Sequence, residues 1–270
     1  MQNVTLACFG LSYLLALLLE LARLKWPKPG LRTTGLILGG AGLFAHSWFL
    51  AVHQPSPATA YGALLAVAWV LGIFYLYGSL HHAKRAWAIF VLPFVLALVG
   101  LAFVLVSTDA DAQSFALESG QRFWGAAHGI LILLASVGVC VGAIASVMYL
   151  IQARRLRKKL NPLGGVKMLS LERLESMNRR AINAAFPLLS VGLLIGVLLL
   201  KSENVITPDW FSLKVLGTVG IWIVFLVLLY MRYAVHLPGR RLAMLTIFSL
   251  VLVVAVLIAD HSFARRGESP

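Results

Sequence analysis

The chain has 270 residues, 60% of them hydrophobic and only 12% charged, with a mean hydropathy of +0.88. A soluble domain carries about twice that charge fraction, which excludes a soluble enzyme or binding module and leaves a polytopic membrane protein. The 23 Lys and Arg against 10 Asp and Glu give a formal charge of +13. These basic residues sit in short linkers between apolar runs, so the excess reads as a positive-inside topology signal rather than as nucleic-acid binding.

The first apolar run spans about 4–22. Its start, MQNVTLACFG, lacks a basic n-region and an Ala-x-Ala cleavage site, so it reads as a membrane span rather than a removed signal. Further runs follow at about 34–53, 60–80, 86–107, 126–151, 182–200, 214–235 and 242–260. Each approaches the ~20 apolar residues that cross a bilayer as a helix. The expected fold is all-α, with about eight transmembrane helices forming one transmembrane domain over 1–270.

The linkers alternate in charge. Arg23, Lys25, Lys28 and Arg32 follow the first span, and HQPSPATAYG after the second has no Lys or Arg. Lys84 and Arg85 follow the third span, and the acidic STDADAQSFALESGQ follows the fourth. The fifth span ends in Arg154, Arg155, Arg157, Lys158 and Lys159. KSENVITPDWFS follows the sixth, and Arg232, Arg240 and Arg241 follow the seventh. Odd-numbered linkers are therefore expected in the cytoplasm and both termini outside. Arg265 and Arg266 in the tail run against this pattern.

The longest linker, 152–181, contains a turn marked by Asn161, Pro162, Gly164 and Gly165. SLERLESMNRRA then offers Ser170 as an N-cap and Glu172 in the first turn, with Leu171, Leu174 and Met177 at helical spacing. This predicts a short cytoplasmic amphipathic helix whose Arg173, Arg179 and Arg180 face anionic headgroups or dock a partner. Gly39, Gly40 and Gly42 in the second span, and Gly138 and Gly142 in the fifth, permit close helix packing or admit a flat ligand. Cys8 and Cys140 read as small apolar fillers, since no Cys-x-x-Cys-His motif is present.

Seven histidines remain to be placed. His53, His81, His82 and His261 lie at span ends and read as interfacial, and His236 lies in a turn. His46 and His128 differ. His46 sits inside the second span, about 7 residues or ~10 Å from its external end. His128 opens the fifth span, within about one turn of the same side. Two neutral imidazoles at matched depth on different helices suit bis-histidine haem ligation. Two other readings stand beside it: each imidazole hydrogen-bonds a neighbouring helix, or the pair relays protons. No pair of carboxylates lies within a span and no glycine-rich phosphate loop is present, so acid–base and phosphate chemistry have no support.

Four segments in order carry a resemblance. They are GLFAHSWFL around His46, AAHGILILLASVGVCVGAIASVMYLIQARRLRKK from His128 onward, LSLERLESMNRRAINAAFPLLSVGLLIG, and KVLGTVGIWIVFLVLLYMRYAVHLPGRRLAML with Lys214 and Trp222. Together they resemble the cytochrome c assembly family, CcsA- and HemX-like, and especially its short eight-span YpjD-like branch. The likeness covers nearly the whole chain, with its core at 124–260.

The resemblance implies a protein of the inner or plasma membrane that binds or passes haem without covalent catalysis. It implies non-covalent, b-type haem with His46 and His128 as axial ligands to the iron on the external side. Trp48, Trp124, Trp210 and Phe211 become candidate ring contacts, with interfacial anchoring as the alternative for each. Arg122 and Lys214 become candidate propionate partners. The implied partners are haem, the lipid bilayer and other cytochrome c maturation membrane proteins, with no nucleic acid. Two positions depart from the family. The tryptophan-rich stretch before Lys214 is reduced to Trp210 and Phe211 within SENVITPDWFSL, and Tyr230 stands where a histidine is usual. Arg232 matches a family arginine, and His236 falls six residues after Tyr230. Alternatives are a non-haem membrane regulator or scaffold of the same fold, or a small proton-coupled transporter using His46 and His128.

Overall fold

A computed structural model describes residues 5–26, 28–56, 59–81, 87–105, 119–159, 169–202, 213–235 and 238–264. Eight helices account for almost all of them: α1 (Leu6–Lys25), α2 (Pro29–His53), α3 (Ala60–His81), α4 (Trp87–Leu105), α5 (Ser119–Arg157), α6 (Leu171–Ser202), α7 (Leu213–Tyr233) and α8 (Gly239–Ala264). Seven of these, α1 to α7, are long and apolar enough over their described residues to cross a membrane. The chain is a multi-pass, all-helical membrane protein.

The ends of the helices follow from local chemistry. Pro29 sits in the first turn of α2, where its missing N–H costs nothing. Gln54 closes α2 in the left-handed region (φ 42°) and donates its N–H to the Leu50 carbonyl at 3.0 Å. Ser170 caps α6 as expected, its Oγ accepting from the Arg173 N–H at 3.3 Å. The segment expected as a short amphipathic helix is helical, but it runs without a break into the sixth span as the first turns of α6. Nothing in SLERLESMNRRAINAAF interrupts the helix: Pro187 lies further on, inside the span. The Asn161–Gly165 turn lies outside the described residues.

Two compact units partition the chain, one formed by residues 1–109 with 147–174, the other by 110–146 with 175–270. In the first unit α1 packs on α2 and α4, and α3 packs on α2 and α4. The buried positions of α1 are Leu6, Phe9, Tyr13, Ala16 and Glu20, at helical spacing. Those of α2 are Gly35, Gly39, Gly42, His46 and Phe49. Three glycines in one stripe leave room for large side chains from the neighbours. A Cβ on Gly42 would stand 3.2 Å from the Tyr13 ring, and one on Gly39 would collide with the Tyr75 hydroxyl. Indole hydrogen bonds join the helices: Trp69 donates to Ser47 Oγ at 2.8 Å and Trp87 to the Phe74 carbonyl at 3.2 Å.

The core of the second unit comprises Ala135 and Val139 from α5, Ile182, Ala185 and Leu189 from α6, and Ile221, Phe225 and Leu228 from α7. Gly138 lets α5 approach α6, since a Cβ there would stand 2.9 Å from that of Ala185. Gly39 and Gly42 in α2 and Gly138 and Gly142 in α5 thus serve close packing, whereas a Cβ on Gly40 would meet nothing within 4 Å. Cys140 is a buried filler as expected, whereas Cys8 is exposed, its Sγ 3.5 Å from Thr5 Oγ1.

Candidate functional site

His128 lies on the face of α5 turned toward α6 within the second unit. Its Nδ1 stands 2.7 Å from the Gly192 carbonyl oxygen. A carbonyl only accepts, so Nδ1 carries the proton and donates, which leaves the Nε2 lone pair as the basic one. The ring rests where α6 carries glycine: a Cβ on Gly196 would stand 2.9 Å from His128 Cε1. Anchoring of one ring nitrogen by a backbone carbonyl is how metal-binding histidines are held in orientation. This cradle fits an axial ligand.

His46 is fully buried in the first unit. Its ring stacks on Phe9, with centroids 4.2 Å apart and planes 4° from parallel, and Tyr13 meets it edge-on at 6.2 Å. Among the described residues neither Nδ1 nor Nε2 has a hydrogen-bond partner. Buried polar atoms are ordinarily satisfied, and an orphaned one costs ~1–3 kcal/mol. A nitrogen kept bare at that cost fits a ligand that supplies the missing bond. Phe9 and Tyr13 cover the ring, so a porphyrin reaches it only when these α1 side chains move aside.

His46 and His128 belong to different units, and each is described within its own. The remaining candidates divide in three. Trp124 is exposed and meets Phe123 edge-on at 5.5 Å, and Trp48 is also exposed, both consistent with interfacial anchoring. Tyr230, the position that the resemblance aligns with a histidine, is exposed on α7. Trp210, Phe211, His82 and His236, with the side chains of Arg122, Lys214 and His261, lie outside the described residues. His53 and His81 are the last residues of α2 and α3, each stacked on the aromatic residue one turn earlier (Phe49 at 4.2 Å, Tyr77 at 4.1 Å).

One polar cluster escaped the sequence reading. Arg232, buried at the end of α7, donates through Nη2 to Asn178 Oδ1 at 2.6 Å. The Asn178 amide nitrogen stands 3.0 Å from the Gly142 carbonyl, 2.9 Å from Ser146 Oγ and 3.1 Å from Thr246 Oγ1. The cluster therefore ties α5, α6, α7 and α8 together within the second unit. A signal for it exists in the sequence: Asn178 falls on the stripe that continues as Ile182, Ala185 and Leu189, so an amide interrupts an apolar face.

These features define a polytopic helical membrane protein that holds one histidine oriented by a carbonyl and another with both nitrogens bare. Residues 58–259 match the family model described as "Cytochrome C assembly protein", and the chain belongs to that family. It is 22% identical over 228 residues to "Cytochrome c biogenesis protein CcsA" of Prochlorococcus marinus (strain MIT 9312), covering 77% of this chain and 72% of that protein. It is 21% identical over 225 residues to the protein of the same name from Trieres chinensis, covering 73% and 72%. No solved structure matches the chain.

Proposed function

We propose that this protein binds haem non-covalently within the membrane as part of cytochrome c biogenesis, with His46 and His128 as axial ligands. The observation that carries the reading is the His128 cradle, in which a 2.7 Å bond to the Gly192 carbonyl turns Nε2 into the free, basic nitrogen. The bare nitrogens of His46 supply the complementary observation. Bound haem would supply iron whose redox state the two imidazoles tune. The protein's own part is to hold the imidazoles, keep their ligating nitrogens unprotonated and keep water away from His46.

Membership of the family supports the haem reading, since the CcsA proteins to which the chain is similar are named for cytochrome c biogenesis. The alternating linker charges support an external position for both histidines, with both chain ends outside. Propionate pairing by Arg122 and Lys214, b-type haem, and other cytochrome c maturation proteins as partners belong to the same proposal. So does action by binding and passing haem rather than by covalent catalysis.

The test is an absorption spectrum of the purified protein in detergent, with and without added haem. A low-spin Soret band that is lost in both His46→Ala and His128→Ala supports ligation. Folded wild-type protein that takes up no haem removes the proposal and favours the scaffold reading.

A further inference from the structure

We propose that the basic end of the second unit binds the phosphate of one anionic phospholipid, with Nη1 of Arg232 as the central donor and the first turn of α8 beside it. The site goes beyond the haem reading and needs no bound haem. Asn178, which holds Arg232, touches Gly142, and Gly142 lies 14 residues or ~21 Å along α5 from His128.

The polar cluster fixes one guanidinium in one orientation. Ser146 Oγ donates to the Gly142 carbonyl at 2.8 Å, and Thr246 Oγ1 donates to the Leu242 carbonyl at 2.9 Å. Both hydroxyl hydrogens are thus spent, and each oxygen presents lone pairs to the Asn178 amide nitrogen. That sets the amide. Its nitrogen faces α5 and α8, and its Oδ1 faces α7, where Nη2 of Arg232 donates to it at 2.6 Å.

With Nη2 anchored, Nη1 is the free arm of the fork. It is buried without a partner among the described residues, and Arg232 as a whole is only 8% exposed. An arginine at the end of a span ordinarily snorkels to water or headgroups. This one is drawn back by Asn178 and keeps a charged N–H unsatisfied, which costs stability. Tying α6 to α7 needs only the Nη2 bond. A phosphate oxygen at Nη1 supplies both the missing acceptor and the countercharge. Nη1 is covered, so a phosphate reaches it by displacing a neighbour. The charged neighbours that act on Arg232 are exposed ones: Glu175, which attracts it without forming an ion pair, and Arg179, which repels it.

A second, independent feature calls for an anion at the same end. α8 starts at Gly239 with Arg240 and Arg241 in its first turn and no acidic residue there. A helix N-terminus carries partial positive charge, so two arginines without an acid leave it unbalanced. Its backbone N–H groups favour an anion supplied from outside. Thr246 joins this turn to the cluster, since its hydroxyl bonds Leu242 and its oxygen meets Asn178.

The depth selects the occupant. The apolar spans begin at about 182 in α6 and about 242 in α8, and end at about 235 in α7. Arg179, Arg180, Arg232, Arg240 and Arg241 all lie within about three residues of those borders, at the level of lipid headgroups. Five arginines against Glu175 leave this end strongly positive, which favours an anionic over a zwitterionic lipid. A phospholipid brings its phosphodiester to this depth with its chains already in the bilayer, whereas free phosphate has to be concentrated from water.

The test is native mass spectrometry of the full chain purified in detergent, offered dioleoylphosphatidylglycerol and dioleoylphosphatidylcholine in equal amounts. We expect the wild-type protein to retain one phosphatidylglycerol about tenfold more tightly than phosphatidylcholine, and Arg232→Gln to abolish that preference. Arg240→Gln combined with Arg241→Gln removes only exposed side chains and should lower the preference about fivefold. Lys25→Gln combined with Lys28→Gln takes the same charge from the first unit and should leave it unchanged. Inorganic phosphate in excess should not displace the lipid. Equal retention of the two lipids by the wild-type protein overturns the site. So does a preference untouched by the Arg240 and Arg241 replacements, a result that decides the matter even where Arg232→Gln fails to fold. An equal loss in the Lys25 and Lys28 variant, or full displacement by inorganic phosphate, overturns the assignment to a lipid held here.

Discussion

The Nδ1 of His128 donates to the Gly192 carbonyl, and the ring it orients lies over Gly196 one turn further along α6. A methyl group at Gly196 would meet Cε1 at 2.9 Å, closer than carbon atoms pack, and would push the ring off its anchor. Gly196→Ala should therefore weaken haem binding about 10–100-fold, the usual cost of losing the group that orients a ligand. A haem titration followed at the Soret band measures it. Unchanged affinity would show that the cradle does not orient a ligand.

His46 presents the opposite balance between stability and function. Replacing it with Phe keeps an aromatic ring against Phe9 and removes two orphaned nitrogens. His46→Phe should leave the thermal midpoint unchanged or raise it, by an amount equivalent to about 1–2 kcal/mol, while abolishing bis-histidine ligation. Scanning fluorimetry in detergent gives the midpoint. A clear drop would mean that His46 has a structural partner.

Asn178 is the hub of the second unit's polar cluster. Asn178→Leu would leave the Arg232 guanidinium buried with its Nη2 partner gone, while Nη1 already lacks one. The expected loss is about 2–3 kcal/mol, larger than for a typical membrane hydrogen bond because the donor is charged. Asn178→Asp, which keeps the acceptor for Arg232 and adds an opposite charge but loses the N–H given to the Gly142 carbonyl, should recover part of it. Equal midpoints for Leu and Asp would contradict this account.

Gly39 tests the crowding of the first unit. A Cβ there would collide with the Tyr75 hydroxyl, so Gly39→Ala should destabilise by about 1–3 kcal/mol. Gly40, whose Cβ would meet nothing within 4 Å, should accept Ala without loss. The paired thermal midpoints decide the point.

The helices were legible in the sequence because membrane spans announce themselves by length and apolarity alone, as 86–107 does for α4. His46 and His128 stood out because lipid makes any polar residue in a span conspicuous. What each histidine touches was not legible. The Gly192 carbonyl and the Phe9 ring meet them only through tertiary packing, which a single sequence does not encode at fixed spacing. The packing of Tyr13 and Tyr75 against the glycine stripe of α2 was hidden for the same reason: the two rings come from α1 and α3. Asn178 was misread as part of a surface helix because its polar neighbours Arg179 and Arg180 masked the buried stripe it belongs to.

The measurement that bears most directly on the central claim is low-temperature EPR of the ferric, haem-loaded protein, compared with His46→Ala and His128→Ala. Bis-imidazole ligation predicts a low-spin ferric signal in the wild-type protein and a shift to high spin in each single variant. A low-spin signal that survives either substitution, or a high-spin signal in the wild-type protein, would contradict ligation by this pair.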